Sequence, residues 1–345
     1  MWVWAGGGSV LSNYQMKKIT LSPSGVELFS DGATNILEVA LQNNIALSYS
    51  CKSGSCGACK ATVIDGDVES LDPFKVLSAD EVQSGSILTC CSKAKSDCVI
   101  EAEFFPELAD IEQKTVPAKI ESINFPSSDI AIIKLRLPPS TDFKYLSGQY
   151  LDMSFGGASR SYSIANRCVH GNGIELHIRK VAGGVMSEKV FLEMSKNTLV
   201  RLNGPIGTFF VRKSERPIVF LAGGTGFAPV KAMVEGLIAN NSFRHIHIYW
   251  GAVEQSGIYS DVPEGWAGAY RNVSYTPVIS EEDSEWEGRT GFVHSAVMSD
   301  FSSLDSFDVY ACGSPLMIGA ARNDFIGKGL PAERFFSDAF VPYSN

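Results

Sequence analysis

The residues best suited to chemistry are cysteines. Cys51, Cys56 and Cys59 stand in the pattern Cys-x4-Cys-x2-Cys, and Cys90 follows downstream. Four thiolates at this spacing form the ligand set of a [2Fe–2S] cluster. Ser53, Gly54, Ser55, Gly57 and Ala58 fill the gaps. Their small size lets the backbone wrap the cluster and point N–H groups at its sulfurs, and glycine permits the positive φ of a loop that turns back. The competing assignment is a zinc knuckle, but zinc sites pair two short Cys or His elements, and the remaining cysteine pair, Cys90-Cys91, has no spacer. If that segment is extended, the two side chains point to opposite sides and one alone can be a ligand. Cys98 and Cys168 read as buried small hydrophobes.

Two further constellations concern cofactors. Arg160-Ser-Tyr162-Ser163 resembles the Arg-x-Tyr-Ser signature of ferredoxin-reductase-type flavoproteins. In that setting Arg160 pairs with a phosphate oxygen, Tyr162 lays a flat face against the isoalloxazine, and Ser163 hydrogen-bonds the flavin N5. The run Gly183-Gly184-Val185-Met186-Ser187 opens a helical stretch, so free N–H groups and the helix dipole are available to a pyrophosphate. In flavoproteins of that type His177-Ile178-Arg179, on the preceding strand, would line the same pocket; the alternative for His177 is a surface position on that strand. The third constellation is Gly223-Gly224-Thr225-Gly226-Phe-Ala-Pro229, a phosphate cradle between a strand and a helix. It carries Pro229 where a dinucleotide fingerprint has its third Gly or Ala. Cys312-Gly313-Ser314-Pro315-Leu-Met resembles the Cys-Gly-x-x-x-Met signature of the same superfamily, whose cysteine sits beside nicotinamide C4. No Lys or Arg lies between Arg244 and Arg271. A 2′-phosphate would need a cation there, so NADH is expected over NADPH. Glu254 is a candidate ribose contact, although a solvated loop acid is the commoner reading, and His245 and His247 read as surface or core residues of one strand.

These motifs need three scaffolds. Residues 17–105 show short strands, the helical segment Asn35-ILEVALQNN and the cysteine loop. Residues 106–117, polar and bounded by prolines, read as a linker. Residues 118–213 alternate short apolar runs with Pro, Gly and Ser, the pattern of an antiparallel β-barrel. Residues 214–345 alternate strands and helices, which implies a parallel α/β sheet covered on both faces. Residues 1–16 read as a disordered extension, with Met16 before Lys17-Lys18 an alternative start.

The chain has 345 residues, 45% of them hydrophobic, and a formal net charge of -9. That charge argues against nucleic acid. There is no apolar run of membrane-spanning length, and the N-terminus has no signal-peptide character. A cytoplasmic protein without membrane insertion is expected. Glu101, Glu103, Glu107 and Asp110 could form an acidic docking face, although a solvated surface is the more common meaning of such a run.

Together the motifs resemble the iron–sulfur flavoprotein reductases, which join a β-grasp-like ferredoxin, an FAD barrel and an NAD domain in this order. LTCCSKAKSD, FFPEL, RSYSIAN, GTFFVR, FLAGGTGFAPVK, YWG, VYACGSPLM and FFSDAFVP are similar to the branch that serves 3,6-dideoxyhexose biosynthesis, the CDP-6-deoxy-3,4-glucoseen reductases. The resemblance implies FAD as the flavin and, through the Leu-Thr-Cys pattern, Cys90 as the fourth cluster ligand. It implies Ser163, Cys312 and Asp338 as catalytic residues and Phe340 as the cover of the flavin face. It implies electrons passing from NADH to FAD to the [2Fe–2S] cluster. Their acceptor would be a pyridoxamine-dependent, iron–sulfur sugar-nucleotide 3-dehydratase. A reductase feeding an aromatic-ring or multicomponent oxygenase shares every cofactor motif. A non-catalytic electron carrier would not need the Arg160 and Cys312 signatures.

Overall fold

The computed structural model describes residues 16–340 apart from 74–75, 170, 172 and 282–283. The extension expected at 1–16 falls outside the described residues except for Met16. The chain divides into two compact units. The first comprises residues up to Ser48 together with Lys52–Pro106, and the second comprises Tyr49–Cys51 together with Glu107–Asn345.

In the first unit, β1 (Lys17–Ser22), β2 (Val26–Ser30), β3 (Lys60–Asp65), β5 (Ser86–Leu88) and β7 (Cys98–Glu101) form a sheet in the order β2-β1-β7-β3-β5. A short ribbon pairs β4 (Val68–Ser70) with β6 (Ser92–Ala94). β1 and β7 are parallel and the other pairings antiparallel, a β-grasp arrangement. Helix α1 (Ile36–Gln42) starts where the Asn35 side chain accepts the Glu38 N–H at 2.8 Å, and it buries Ile36, Leu37, Val39 and Ala40. Helix α2 (Ala79–Gln83) starts at a reciprocal Ser78–Glu81 capping box.

The second unit holds two sheets. β8 (Lys114–Ser127), β9 (Ile130–Arg136), β10 (Tyr150–Phe155), β11 (Ala158–Ser163), β12 (Ile174–Arg179) and β13 (Leu199–Ile206) pair antiparallel in the order β11-β10-β13-β8-β9-β12. The sheet curls until an isolated bridge, Ile164–Leu176, joins its two ends. Inward residues such as Val116, Ala118, Ile120, Leu151, Met153 and Leu176 form its core. β8 begins at Lys114, inside the segment read as a linker, because Val116 is already buried and Thr115 pairs with Asn203. Helix α3 (Val185–Leu192) covers one side through Met186 and Val190.

The last sheet is entirely parallel. It contains β14 (Ile218–Gly223), β15 (Ile246–Ala252), β16 (Val273–Ile279), β17 (Arg289–Thr290), β18 (Asp308–Gly313) and β19 (Phe335–Ala339), ordered β17-β16-β15-β14-β18-β19. Helices α4 (Phe227–Ala239), α5 (Val262–Ala269), α6 (Val293–Asp300) and α7 (Pro315–Gly327) connect its strands. The connection after β14 leads to β15 on one side, while β18 lies on the other. This is the topological switch point, where open α/β sheets bind ligands beyond the carboxyl ends of the strands.

Candidate functional site

The cysteine loop turns through three left-handed residues, Lys52, Gly54 and Gly57, at φ of 56°, 70° and 73°. A clip closes it: Thr89 donates its backbone N–H to the Cys59 carbonyl at 3.1 Å and its hydroxyl to the same oxygen at 3.3 Å. The clip brings Cys90 Sγ within 3.2 Å of Cys59 Sγ, both residues being buried. The hydrogen bond with the Cys59 thiol, and then burial, push the Cys90 thiol far above its ordinary range. A pair held this way is stable as thiolates only when a cation neutralises it. No group of three or more such side chains among the described residues converges on one metal ion. A two-iron cluster does not require that, because its four ligands are shared two per iron. The paired Cys59 and Cys90 thiols fit two ligands of such a cluster, and Cys51 and Cys56 are half-buried.

One local expectation is corrected. Cys90 and Cys91 are not on an extended strand. Thr89–Cys91 forms a 3-10 turn, and the two sulfurs lie 3.5 Å apart on neighbouring faces. Cys91 Sγ is turned toward Gly54, where a Cβ would sit 2.7 Å from it. Cys98 is buried as expected, and Cys168 packs half-buried against the barrel core.

On β11, Arg160 and Tyr162 alternate with Ser161 and Ser163, so the first two share one face. Ser163 is buried and Tyr162 half-buried. Burial raises the Tyr162 phenol, which stays protonated. Gly183 has φ of 71°, and Gly184 is the N-cap of α3. The Ser187 hydroxyl bolts this turn, accepting from Val181 N–H at 3.0 Å and donating to the Gly184 carbonyl at 2.9 Å. A Cβ on Gly184 would meet that oxygen at 2.7 Å. Ser187 thus shapes the turn, which leaves the first-turn N–H groups of Val185 and Met186 to face an anion.

At the switch point, residues 223–226 pass directly against 312–313. A Cβ on Gly226 would lie 2.2 Å from the Cys312 carbonyl oxygen, and one on Gly313 would lie 3.1 Å from Gly223 Cα. Gly224 adopts φ of 54°, and its carbonyl accepts from the Trp250 indole N–H at 2.9 Å. Cys312 is fully buried, and burial raises its thiol well above the usual value, so it is a neutral S–H. Asp338 pairs with it in register on β19. Burial pushes the Asp338 carboxyl up to about 6, although the Ser50 hydroxyl, within the same unit, donates to it. Phe340 is partly exposed and anchored by its N–H to the Gly313 carbonyl at 2.9 Å.

Other candidates lie elsewhere or do something different. Both ring nitrogens of His177 are occupied, by Tyr259 and by Glu175. Ile178 points into the barrel core. The Arg179 guanidinium lies over the dinucleotide loop, 3.2 Å from where a Gly224 Cβ would be. His247 bonds Ser274 on the neighbouring strand, and His245 is exposed. Glu101, Glu103, Glu107 and Asp110 are exposed. Glu175, Lys231, Tyr259 and Glu281 escaped sequence reasoning. The strand order would have pointed to Glu281, because it places the end of β16 beside that of β15, with Glu281 N–H bonded to Val253 O.

Glu175 is the best-buried acid of this group. Burial alone would raise its carboxyl, but the hydrogen bond from His177 and the Lys231 charge outweigh it and hold the value down to about 2. A lowered folded value gives stability that is present above the ordinary 4.5 and lost as pH falls toward about 2. Glu175→Gln is therefore expected to lose roughly 1–3 kcal/mol at pH 7. Denaturant melts should show the gap from the parent narrowing across that acid window.

Family models match all three scaffolds: the 2Fe-2S iron-sulfur cluster binding domain over 19–95, the oxidoreductase FAD-binding domain over 117–211 and the oxidoreductase NAD-binding domain over 220–323. The chain is 53% identical over 324 residues to the CDP-6-deoxy-L-threo-D-glycero-4-hexulose-3-dehydrase reductase of Yersinia pseudotuberculosis, covering 94% of this chain and 98% of that protein. It is 34% identical to a terephthalate 1,2-dioxygenase reductase component of Comamonas, over 89% of this chain and 92% of the other. Among solved structures, the Amycolatopsis cytochrome P450 reductase GcoB superposes with a TM-score of 0.74 at 25% identity, covering 94% of this chain and 99% of that one. The cofactors are thus a [2Fe–2S] cluster, FAD and NADH, and no described helix is long and apolar enough to cross a membrane. With cysteine loop, curled barrel and parallel sheet each matched in place, the chain belongs to the CDP-6-deoxy-L-threo-D-glycero-4-hexulose-3-dehydrase reductases, a family of iron–sulfur flavoproteins.

Proposed function

We propose that this protein takes hydride from NADH and delivers single electrons to a CDP-4-keto-6-deoxyhexose 3-dehydratase during dideoxysugar formation. The acceptor in this reading holds its sugar nucleotide through pyridoxamine and carries an iron–sulfur centre of its own. The observation that carries the reading is the near-complete, 53% identical match to hexulose-dehydrase reductases. The dioxygenase reductase shares the modules at much lower identity.

When bound, the flavin stores the hydride pair and the two-iron cluster passes electrons singly. The protein's part is to hold and orient. Cys51, Cys56, Cys59 and Cys90 supply the thiolates. Arg160 and the first turn of α3, from Gly184 through Ser187, meet the flavin phosphates, while Tyr162 and Phe340 offer their rings. Gly224, Thr225 and Gly226 with Gly313 let the dinucleotide approach backbone closely, and Arg179 adds a cation at that loop. Cys312, a neutral and dry thiol, shapes the nicotinamide pocket without competing as a base. Ser163 holds the reacting nitrogen, and Asp338 can take or release a proton near neutral pH.

Glu254 and Glu281 stand at adjoining strand ends and both are exposed. Two carboxylates there favour ribose hydroxyls and repel a 2′-phosphate. Neutralising both with glutamine is expected to raise kcat/KM for NADPH by about thirtyfold while NADH changes less, since each removed repulsion is worth about 1 kcal/mol. Steady-state kinetics with the two nucleotides checks this. The electron order is tested by anaerobic NADH titration of the holoprotein with optical and EPR detection. The expected result is flavin bleaching followed by the paramagnetic reduced cluster; bleaching with a cluster that stays oxidised would contradict it.

A further inference from the structure

A chain of buried polar groups runs from the barrel into the parallel-sheet domain of the second unit. Glu175 and His177 alternate along β12 and so share one face. His177 Nε2 lies 3.0 Å from Glu175 Oε1, and His177 Nδ1 lies 2.9 Å from the Tyr259 hydroxyl. Lys231 Nζ, on the second turn of α4, lies 3.1 Å from the same Glu175 oxygen and 2.6 Å from Glu235 Oε1. It also donates to the Ala165 carbonyl at 3.1 Å, and Glu235 accepts the Arg167 N–H at 3.0 Å. His177, Tyr259 and Lys231 are all buried.

Chemistry orders the protons. The Glu175 carboxylate only accepts, so His177 carries its hydrogen on Nε2. Burial lowers the His177 value and keeps the ring neutral, so Nδ1 accepts from the Tyr259 O–H. Lys231 lies between two carboxylates, and every link is directional. Aromatic packing lies alongside: Phe227 stacks on Trp250 at 4.1 Å, Tyr259 meets Trp250 edge-on at 4.9 Å, and the Trp250 N–H holds the Gly224 carbonyl.

The placement of the two ends gives the chain its meaning. Helix α4 begins directly after the 224–226 turn that receives the dinucleotide. Ala165 lies two residues beyond Ser163, where the chain leaves β11. Lys231 therefore ties the helix that follows the 224–226 turn to the exit of the strand bearing Arg160, Tyr162 and Ser163 through one ammonium. Such a network, in a close-packed and dry region, has discrete geometries rather than a continuum.

We propose that the chain Tyr259–His177–Glu175–Lys231–Glu235 sets the separation between nicotinamide and flavin, and that its members are positioning residues for hydride transfer. This rests on the reductase reading above and goes beyond it. A displacement near 1 Å at the reacting atoms can cost about 100-fold in rate. The test is anaerobic stopped-flow flavin reduction by NADH in the holoprotein, with Tyr259→Phe and Lys231→Met. Lys231→Met is expected to lower the limiting rate at least about tenfold. Tyr259→Phe, which keeps the ring and loses one bond, should lower it severalfold. The NADH concentration for half-saturation should stay within about twofold, and electron passage from chemically reduced flavin to the cluster should be unchanged. A lower melting temperature with an unchanged limiting rate in Tyr259→Phe would overturn the proposal, as would a loss confined to NADH affinity. Should Lys231→Met fail to fold, Tyr259→Phe decides alone. A parent protein whose flavin NADH does not bleach would instead contradict the reductase reading.

Discussion

Serine in place of Cys90 is expected to give a protein that still bleaches its flavin with NADH but no longer passes electrons onward. With Cys90 proposed as a cluster ligand, 3.2 Å from Cys59 under the Thr89 clip, its loss is expected to open one iron's coordination. Changes in the shell around a metal ligand cost about 10–100-fold. Removing the ligand itself is expected to exceed that range and to erase the visible absorption and EPR signal of the cluster. Cys91→Ser is the control. Its sulfur sits 3.5 Å from Cys90 and is turned toward Gly54, so the variant should retain iron near two atoms per chain and most of the electron transfer. Iron analysis and EPR of both variants separate the adjacent thiols. A cluster that survives Cys90→Ser and disappears in Cys91→Ser would reassign the fourth ligand.

Alanine at Gly226 is expected to slow NADH-driven flavin reduction by about 100-fold while leaving both resident cofactors in place. The added Cβ would lie 2.2 Å from the Cys312 oxygen, 2.6 Å from its carbonyl carbon and 3.0 Å from Gly313 N. All three are backbone atoms of β18 and its exit turn, so no side chain can swing away. The 224–226 turn must move off the nicotinamide cysteine, which overpacks a tight crossing at about 1–3 kcal/mol. The expected fall in the limiting rate is roughly 100-fold. Flavin content and dithionite reduction of the cluster should match the parent. Stopped-flow rates beside cofactor analysis check both halves.

Much of this was legible because the chemistry is local in sequence. The cysteine loop, the 160–163 strand and the two glycine turns each sit within a few residues, and the texture of 118–213 and 214–345 differs as antiparallel and parallel sheets require. What escaped depends on distant partners. The conformation of Thr89–Cys91 is left open by its own residues, because the 3-10 turn is held by a tertiary partner, the Cys59 carbonyl. His177 reads as a pocket-lining histidine, since Tyr259 and Lys231, which occupy it directly and through Glu175, come from far along the chain. The pairing of Asp338 with Cys312 appears only in the parallel register of β18 and β19. The barrel starts at Lys114 because Gly204 and Asn203 of β13 supply its partners, which no property of a polar segment reveals.

The central claim is that NADH electrons leave this chain for a sugar-nucleotide dehydratase. Its most direct test is anaerobic reconstitution of the holoprotein with a purified pyridoxamine-dependent CDP-hexose 3-dehydratase and its CDP-4-keto-6-deoxyhexose, following NADH oxidation and the sugar product together. A 3-deoxy sugar nucleotide formed in step with NADH consumption, and absent when either protein is omitted, is the predicted result. Fast reduction of cytochrome c by the same preparation with no deoxygenated sugar would keep the reductase and contradict the acceptor.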